Sequence, residues 1–213
     1  MFRKLLIFLL LVFLVSCNST SNEQLEQSVQ KPSPWPPVVG QKYPNLKLRN
    51  SSGQNVELAS FAGKVLIIEP IGMPCQACQA FSGGAVLGGF KGVTPQKNLE
   101  SFEVYFPRYS QGVTLESTDI VFIQILFYSM QLGVPTLDDA KRWEEHFQLK
   151  KPNVHVLIAD SSMHDRVSYN MIPGFQLINR VFVLIKDASG HNPTHNAYTD
   201  LIPEAARIAL TKS

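Results

Sequence analysis

"VLIIEPIGMPCQACQAFSGG", residues 65–84, joins a β-branched run to two cysteines three positions apart. VLII at 65–68 has no polar face, which is the composition of a central strand covered on both sides. Cys75 and Cys78 follow directly. If Cys78 lies in the first turn of a helix with Cys75 at its N-terminal edge, free backbone N–H groups face the Cys75 sulfur. The positive end of the helix dipole then favours thiolate over thiol. That arrangement makes Cys75 the attacking sulfur and leaves Cys78 close enough to resolve a mixed disulfide. Gln76 and Ala77 between them are neutral.

The rest of the chain alternates strand and helix signals. Residues 38–58 hold two short extended pieces around the turn signal Asn50-Ser51-Ser52-Gly53, which predicts a hairpin. DIVFIQILFYSM (119–130), VHVLIA (154–159) and VFVLI (181–185) read as three further strands, the last ending in the turn Asp187-Ala188-Ser189-Gly190. Thr136, with Asp139 three residues on, opens a helix as an N-cap does, and Leu137, Ala140, Trp143 and Phe147 fall on one face. A short helix over 203–211 closes the chain, with Pro203 near its first turn. Residues 83–118 carry six glycines and no convincing period, and read as a frayed helix followed by an insertion. GGAVLGG within it lacks both the Walker spacing and the dinucleotide-binding glycine pattern. Strands alternating with helices predict an α/β layered domain.

The N-terminus sets the compartment. Arg3 and Lys4 precede an apolar run over residues 5–15, the layout of a secretory signal peptide, too short to span a bilayer comfortably. Leu14-Val15-Ser16-Cys17 resembles the bacterial lipobox, which implies a signal peptide over 1–16 and lipidation of Cys17. Residue 18 is Asn rather than Asp, so the inner-membrane retention rule does not apply and the analogy points to the outer membrane. Residues 17–37 are rich in Ser, Asn, Gln and Pro and read as a tether, stiffened at its end by PSPWPP. The domain then runs over 38–213. The chain has 19 basic and 17 acidic residues; without Arg3 and Lys4 the two balance at 17 each, so no global charge suggests nucleic acid. With Cys17 given to lipid, only Cys75 and Cys78 remain, in an oxidising compartment where so close a pair forms a disulfide.

The order of parts resembles the exported redoxin branch of the thioredoxin-like superfamily. The matching pieces are VVGQKYPNLKL and GQNVELASFAGK, the strand VLIIEP, Pro-Cys-x-x-Cys, then YNMIP and VFVLIKDASG. The resemblance implies a central mixed sheet flanked by helices, with an N-terminal hairpin and an insertion after the CxxC helix. It also implies a redox-active Cys75–Cys78 couple without cofactor, working on protein thiols and disulfides of the cell envelope from a periplasm-facing, lipid-anchored position.

In such folds a cis-proline stands opposite the cysteines before the third core strand. Ile172-Pro173 is the candidate that would hold a partner's backbone, although it lies eight residues ahead of Val181. The alternative occupant of that position, Asn179-Arg180, would resemble peroxiredoxins, but no threonine stands three residues before Cys75. Glu69 is read as an exposed strand-end charge, with a proton-relay role as its alternative. Two other functions remain open from the residues: a copper-binding chaperone using the cysteines and a histidine, and an envelope lipoprotein with a purely structural disulfide. His191 and His195 have Pro193 between them, which argues against an ideal helical metal pair.

Overall fold

The computed structural model describes residues 35–211. The residues read as signal peptide, Cys17 and most of those read as tether lie outside the described residues. Seven strands form one mixed sheet in the order β2-β1-β5-β4-β3-β6-β7. At its centre β3 (Val65–Gly72) runs parallel to β4 (Ile120–Tyr128), and β4 runs parallel to β5 (Val154–Ile158). Every residue of β3 and β4 is buried, as apolar runs without a polar face require. On one side β1 (Lys47–Asn50) pairs antiparallel with β5 and with β2 (Asn55–Glu57), across a turn at Gly53.

On the other side the strand expected at 181–185 is displaced. β6 (Gly174–Ile178) pairs antiparallel with β3, and β7 (Leu184–Ser189) pairs antiparallel with β6. Residues 179–183 form the connection between them. Phe182 takes a positive φ of 61° and Val181 is 62% exposed, so the apolar VFV run is largely a hairpin tip. Asn179 closes the tip by accepting the Phe182 N–H on its carbonyl and the Val183 N–H on Oδ1.

Helices α1 (Gln76–Gln79) and α2 (Ala85–Leu87) are joined by a wide turn over 80–84, in which Gly83 has φ 114°. The remainder of the 83–118 segment is built around α3 (Phe102–Tyr109), capped by Ser101, with Phe102, Tyr105 and Phe106 buried. Phe102 stacks on Phe175 of β6 with ring centroids 4.0 Å apart, which pins the segment to the sheet. Helix α4 (Leu137–His146) starts with a complete capping box: Asp139 N–H donates to Thr136 Oγ1, and Thr136 N–H to Asp139 Oδ2. Ala140, Trp143 and Phe147 are buried as expected, whereas Leu137 is 37% exposed, beside the β1–β2 turn at Gly53. Helix α5 (Arg166–Asn170) is capped by Asp165, and α6 (Ile202–Leu210) begins with Pro203 in its first turn and packs on β3. Among the described residues no helix is long and apolar enough to cross a membrane.

Candidate active site at the end of the third strand

β3 ends at Gly72, where its register with β4 is interrupted, and Met73-Pro74 turn the chain into α1. Cys75 is the N-cap of that helix, with extended backbone angles, and its sulfur accepts the Cys78 N–H at 3.1 Å. Cys75 and Cys78 are disulfide-bonded, with Cα atoms 5.3 Å apart. Cys78 is fully buried, whereas Cys75 is partly exposed. The asymmetry follows from local structure: the N-cap projects from the helix end, and a residue one turn inside faces the sheet.

Cys75 opens onto a groove of about 240 Å³ shared with Tyr128, Leu132, Tyr169, Pro173 and His191. Ile172-Pro173 is a cis peptide, and β6 begins at the next residue. The apparent eight-residue gap to Val181 therefore does not exist in the fold. The loop lies close to the cysteines: a Cβ placed on Gly72 would stand 3.5 Å from Ile172 Cδ1 and 3.9 Å from Cys75 Cβ.

Behind the pair lies a polar cluster that the sequence concealed. Glu69 is fully buried rather than an exposed strand-end charge, because β3 is flanked by β4 and β6 and continues three residues past it. Its Oε2 accepts the Gln124 amide at 2.8 Å, and Oε1 has no partner among the described residues. Burial pushes the carboxyl well above the usual carboxylate range, against the smaller opposing effect of the Gln124 hydrogen bond. The same Gln124 nitrogen donates to Ser82 Oγ at 2.8 Å, and Ser82 donates to the Cys78 carbonyl at 2.9 Å. Trp143 Nε1 donates to Gln124 Oε1 at 2.9 Å. Gln79, also buried, ties the active-site turn to the insertion: its amide donates to Met73 O, and its Oε1 accepts from Phe90 N–H. Gln124 did carry a sequence signal, as the lone polar residue inside IVFIQILFY.

No family model matches the chain, and no curated protein matches it. Solved structures do. BsSco, a member of the Sco family of cytochrome c oxidase assembly proteins, superposes with a TM-score of 0.52 at 14% identity, covering 86% of this chain and 100% of that one. A thiol:disulfide interchange protein from Bacteroides sp. gives 0.50 at 14% identity, covering 81% and 91%. A candidate electron transfer protein from Aquifex aeolicus VF5 gives 0.53 at 18% identity, covering 81% and 98%. The fold is thioredoxin-like. At these identities the likeness is one of fold.

Within the thioredoxin-like frame, Cys75, Cys78 and Pro173 come together and Arg180 does not join them. Arg180 donates to Gly63 O at 3.0 Å and pairs with Asp119 at 3.2 Å, at the start of β3 and β4. The cysteines follow the other end of β3, an eight-residue strand of about 26 Å. Of the histidines, His191 reaches the groove. His195 accepts the Asp187 N–H, His146 stands at the Gly88 carbonyl, and His164 packs against Tyr128. Among the described residues no group of three or more His, Cys, Asp or Glu could hold a metal ion. The thioredoxin-like sheet thus presents a disulfide at one end, with a buried acid behind it.

Proposed function

We propose that this chain is a thiol–disulfide oxidoreductase that acts on protein disulfides, held on the cell envelope by lipid on Cys17. The observation that carries the reading is the asymmetry of the pair: an N-cap sulfur open to a groove, bonded to a sulfur with no exposure. A disulfide serving as a permanent staple gains little from so short a loop and has no need of a groove with a cis-proline beside it. The names of two solved neighbours, a thiol:disulfide interchange protein and a Sco protein characterised by a disulfide switch, agree with dithiol chemistry.

In the reducing direction the Cys75 thiolate attacks one sulfur of a partner disulfide. A Cys75–partner bond forms, the partner's S–S bond breaks, and one partner thiolate leaves. Cys78 then gives up its proton and attacks Cys75 Sγ; the Cys75–Cys78 bond forms and the second partner thiolate departs. Two electrons have passed from the pair to the partner, and the oxidising direction is the reverse. The Cys78 N–H steadies the charge on Cys75 whenever that sulfur is a thiolate. The proton that Cys78 releases is taken up by the departing partner thiolate; Glu69, whose protonated form burial favours, is linked through Gln124 and Ser82 to the Cys78 turn and is no acceptor for it. Pro173 lies where an extended partner segment would run past Cys75.

Replacing Cys78 with Ala tests the order of events. The variant should accumulate mixed disulfides on Cys75, seen as reducible high-mass bands on a non-reducing gel. A Cys75→Ala variant should give few. Equal trapping by both variants, or by neither, contradicts the reading.

A further inference from the structure

A second cavity, of about 410 Å³, lies between the insertion and the β4–β5 part of the sheet. This is within the size range of small-molecule sites. Its walls are Phe81, Leu115, Phe122, Leu149 and Val154, most of them buried. At its deep end stand Ser82 and Gln124, 6% and 0% exposed; at its rim stand the exposed Glu103, Glu116 and Thr118, with Lys151 paired to Glu103. The insertion supplies Ser101, Glu103, Leu115, Glu116 and Thr118, so the cavity exists because that segment is there.

The hydrogen bonds at the deep end decide what fits. Both protons of the Gln124 amide are in use, one on Glu69 and one on Ser82. The single hydroxyl proton of Ser82 goes to the Cys78 carbonyl. What remains is acceptor capacity: Ser82 Oγ and Gln124 Oε1, which accepts only from Trp143, each keep a lone pair. A ligand entering this end must therefore bring a donor, because a second acceptor would be buried unpaired. It must also be neutral. An anion finds no donor among the cavity's deep residues, and a cation there has no charge partner, since Glu69 does not line the cavity and burial disfavours its ionised form.

We propose that this cavity binds a small, neutral, largely aromatic or aliphatic molecule carrying a single hydroxyl or N–H donor, with the donor against Ser82 and Gln124. The inference is independent of the oxidoreductase reading, because it rests on the cavity and its hydrogen bonds alone.

N-Phenyl-1-naphthylamine, a neutral aromatic amine with one N–H, is a direct probe, since its fluorescence rises in apolar surroundings. Titrated into the purified full chain, it should saturate at one probe per chain. Thr118→Trp at the exposed rim and Leu115→Trp in the wall should each weaken binding by about ten-fold or more, with circular dichroism checking that the fold is kept. Leu132→Asp, in the Cys75 groove, should leave binding unchanged and shares any nonspecific background. Adding a sulfonate to the probe, as in 1-anilinonaphthalene-8-sulfonate, should weaken it similarly. Absence of saturable binding overturns the proposal, as do sulfonate binding as tight as that of the neutral probe and sensitivity to Leu132→Asp but to neither tryptophan variant.

Discussion

The backbone N–H of Cys78 points at the sulfur of Cys75 from 3.1 Å, so the residue that shares the disulfide also caps its partner's sulfur. On the proposed mechanism, Cys78 contributes a donor to the Cys75 thiolate before it contributes its own sulfur. The capping position of Cys75 makes this possible: an N-cap side chain normally accepts the N–H two or three residues on, and here the acceptor is sulfur in place of oxygen. The motif is therefore a helix cap and a disulfide in the same four residues.

Glu69 should make stability fall with rising pH. Its carboxyl is held protonated in the fold by burial. As pH rises past the ordinary carboxylate pKa of about 4.3, the unfolded chain releases this proton while the folded chain retains it. Unfolding is then favoured progressively, until the folded group ionises as well. Glu69→Gln removes this contribution, so the variant should match wild type at acid pH and exceed it near neutrality. Denaturant midpoints measured across that range check it, and parallel curves for the two proteins contradict it.

The capping box of α4 should matter for stability and not for chemistry. Thr136→Ala removes the acceptor for Asp139 N–H and should lower stability by about 1 kcal/mol. Disulfide exchange by the folded variant should be unchanged, because Thr136 touches neither cysteine and the links from α4 to the active-site turn, Trp143 to Gln124 and Phe90 to Gln79, stay in place. Chemical denaturation and an exchange assay on one preparation separate the two effects.

Cys17→Ser should release the protein from membranes. The lipobox-like Leu14-Val15-Ser16-Cys17 offers one acceptor sulfur. Metabolic labelling with a radioactive fatty acid should mark wild type and not the variant, and the variant should fractionate with soluble envelope proteins. Retained labelling of the variant would place the lipid elsewhere.

Legibility in the sequence followed how local the cause was. VLII and the cysteines could be read because strand burial and helix capping are decided within a few residues. GFQLI at 174–178 was missed because its glycine and glutamine make sense only through distant partners. Gly174 has φ 140°, and a Cβ there would meet Ala188 O at 2.3 Å. Gln176 is buried because it accepts the Tyr43 hydroxyl at 2.8 Å. VFV at 181–183 looked like strand, yet the tight closure by Asn179 made it a turn. Glu69 looked exposed because its partner Gln124 is 55 residues away. Helix α3 escaped notice because Pro107 interrupts a short pattern whose buried side of Phe102, Tyr105 and Phe106 spans little more than one turn. Ile172-Pro173 is cis and leads directly into β6, and its distance from the next strand looked long for the same reason that β6 was missed.

The central claim is that Cys75 is the reactive sulfur and Cys78 the sheltered one, and alkylation of the reduced protein tests it most directly. At mildly acidic pH, iodoacetamide should label Cys75 about ten-fold or more faster than free cysteine, with Cys78 labelled far more slowly. Peptide mass spectrometry over a time course reads both rates in one sample. If the two sulfurs react alike at the rate of free cysteine, or Cys78 reacts first, the pair is not the couple described.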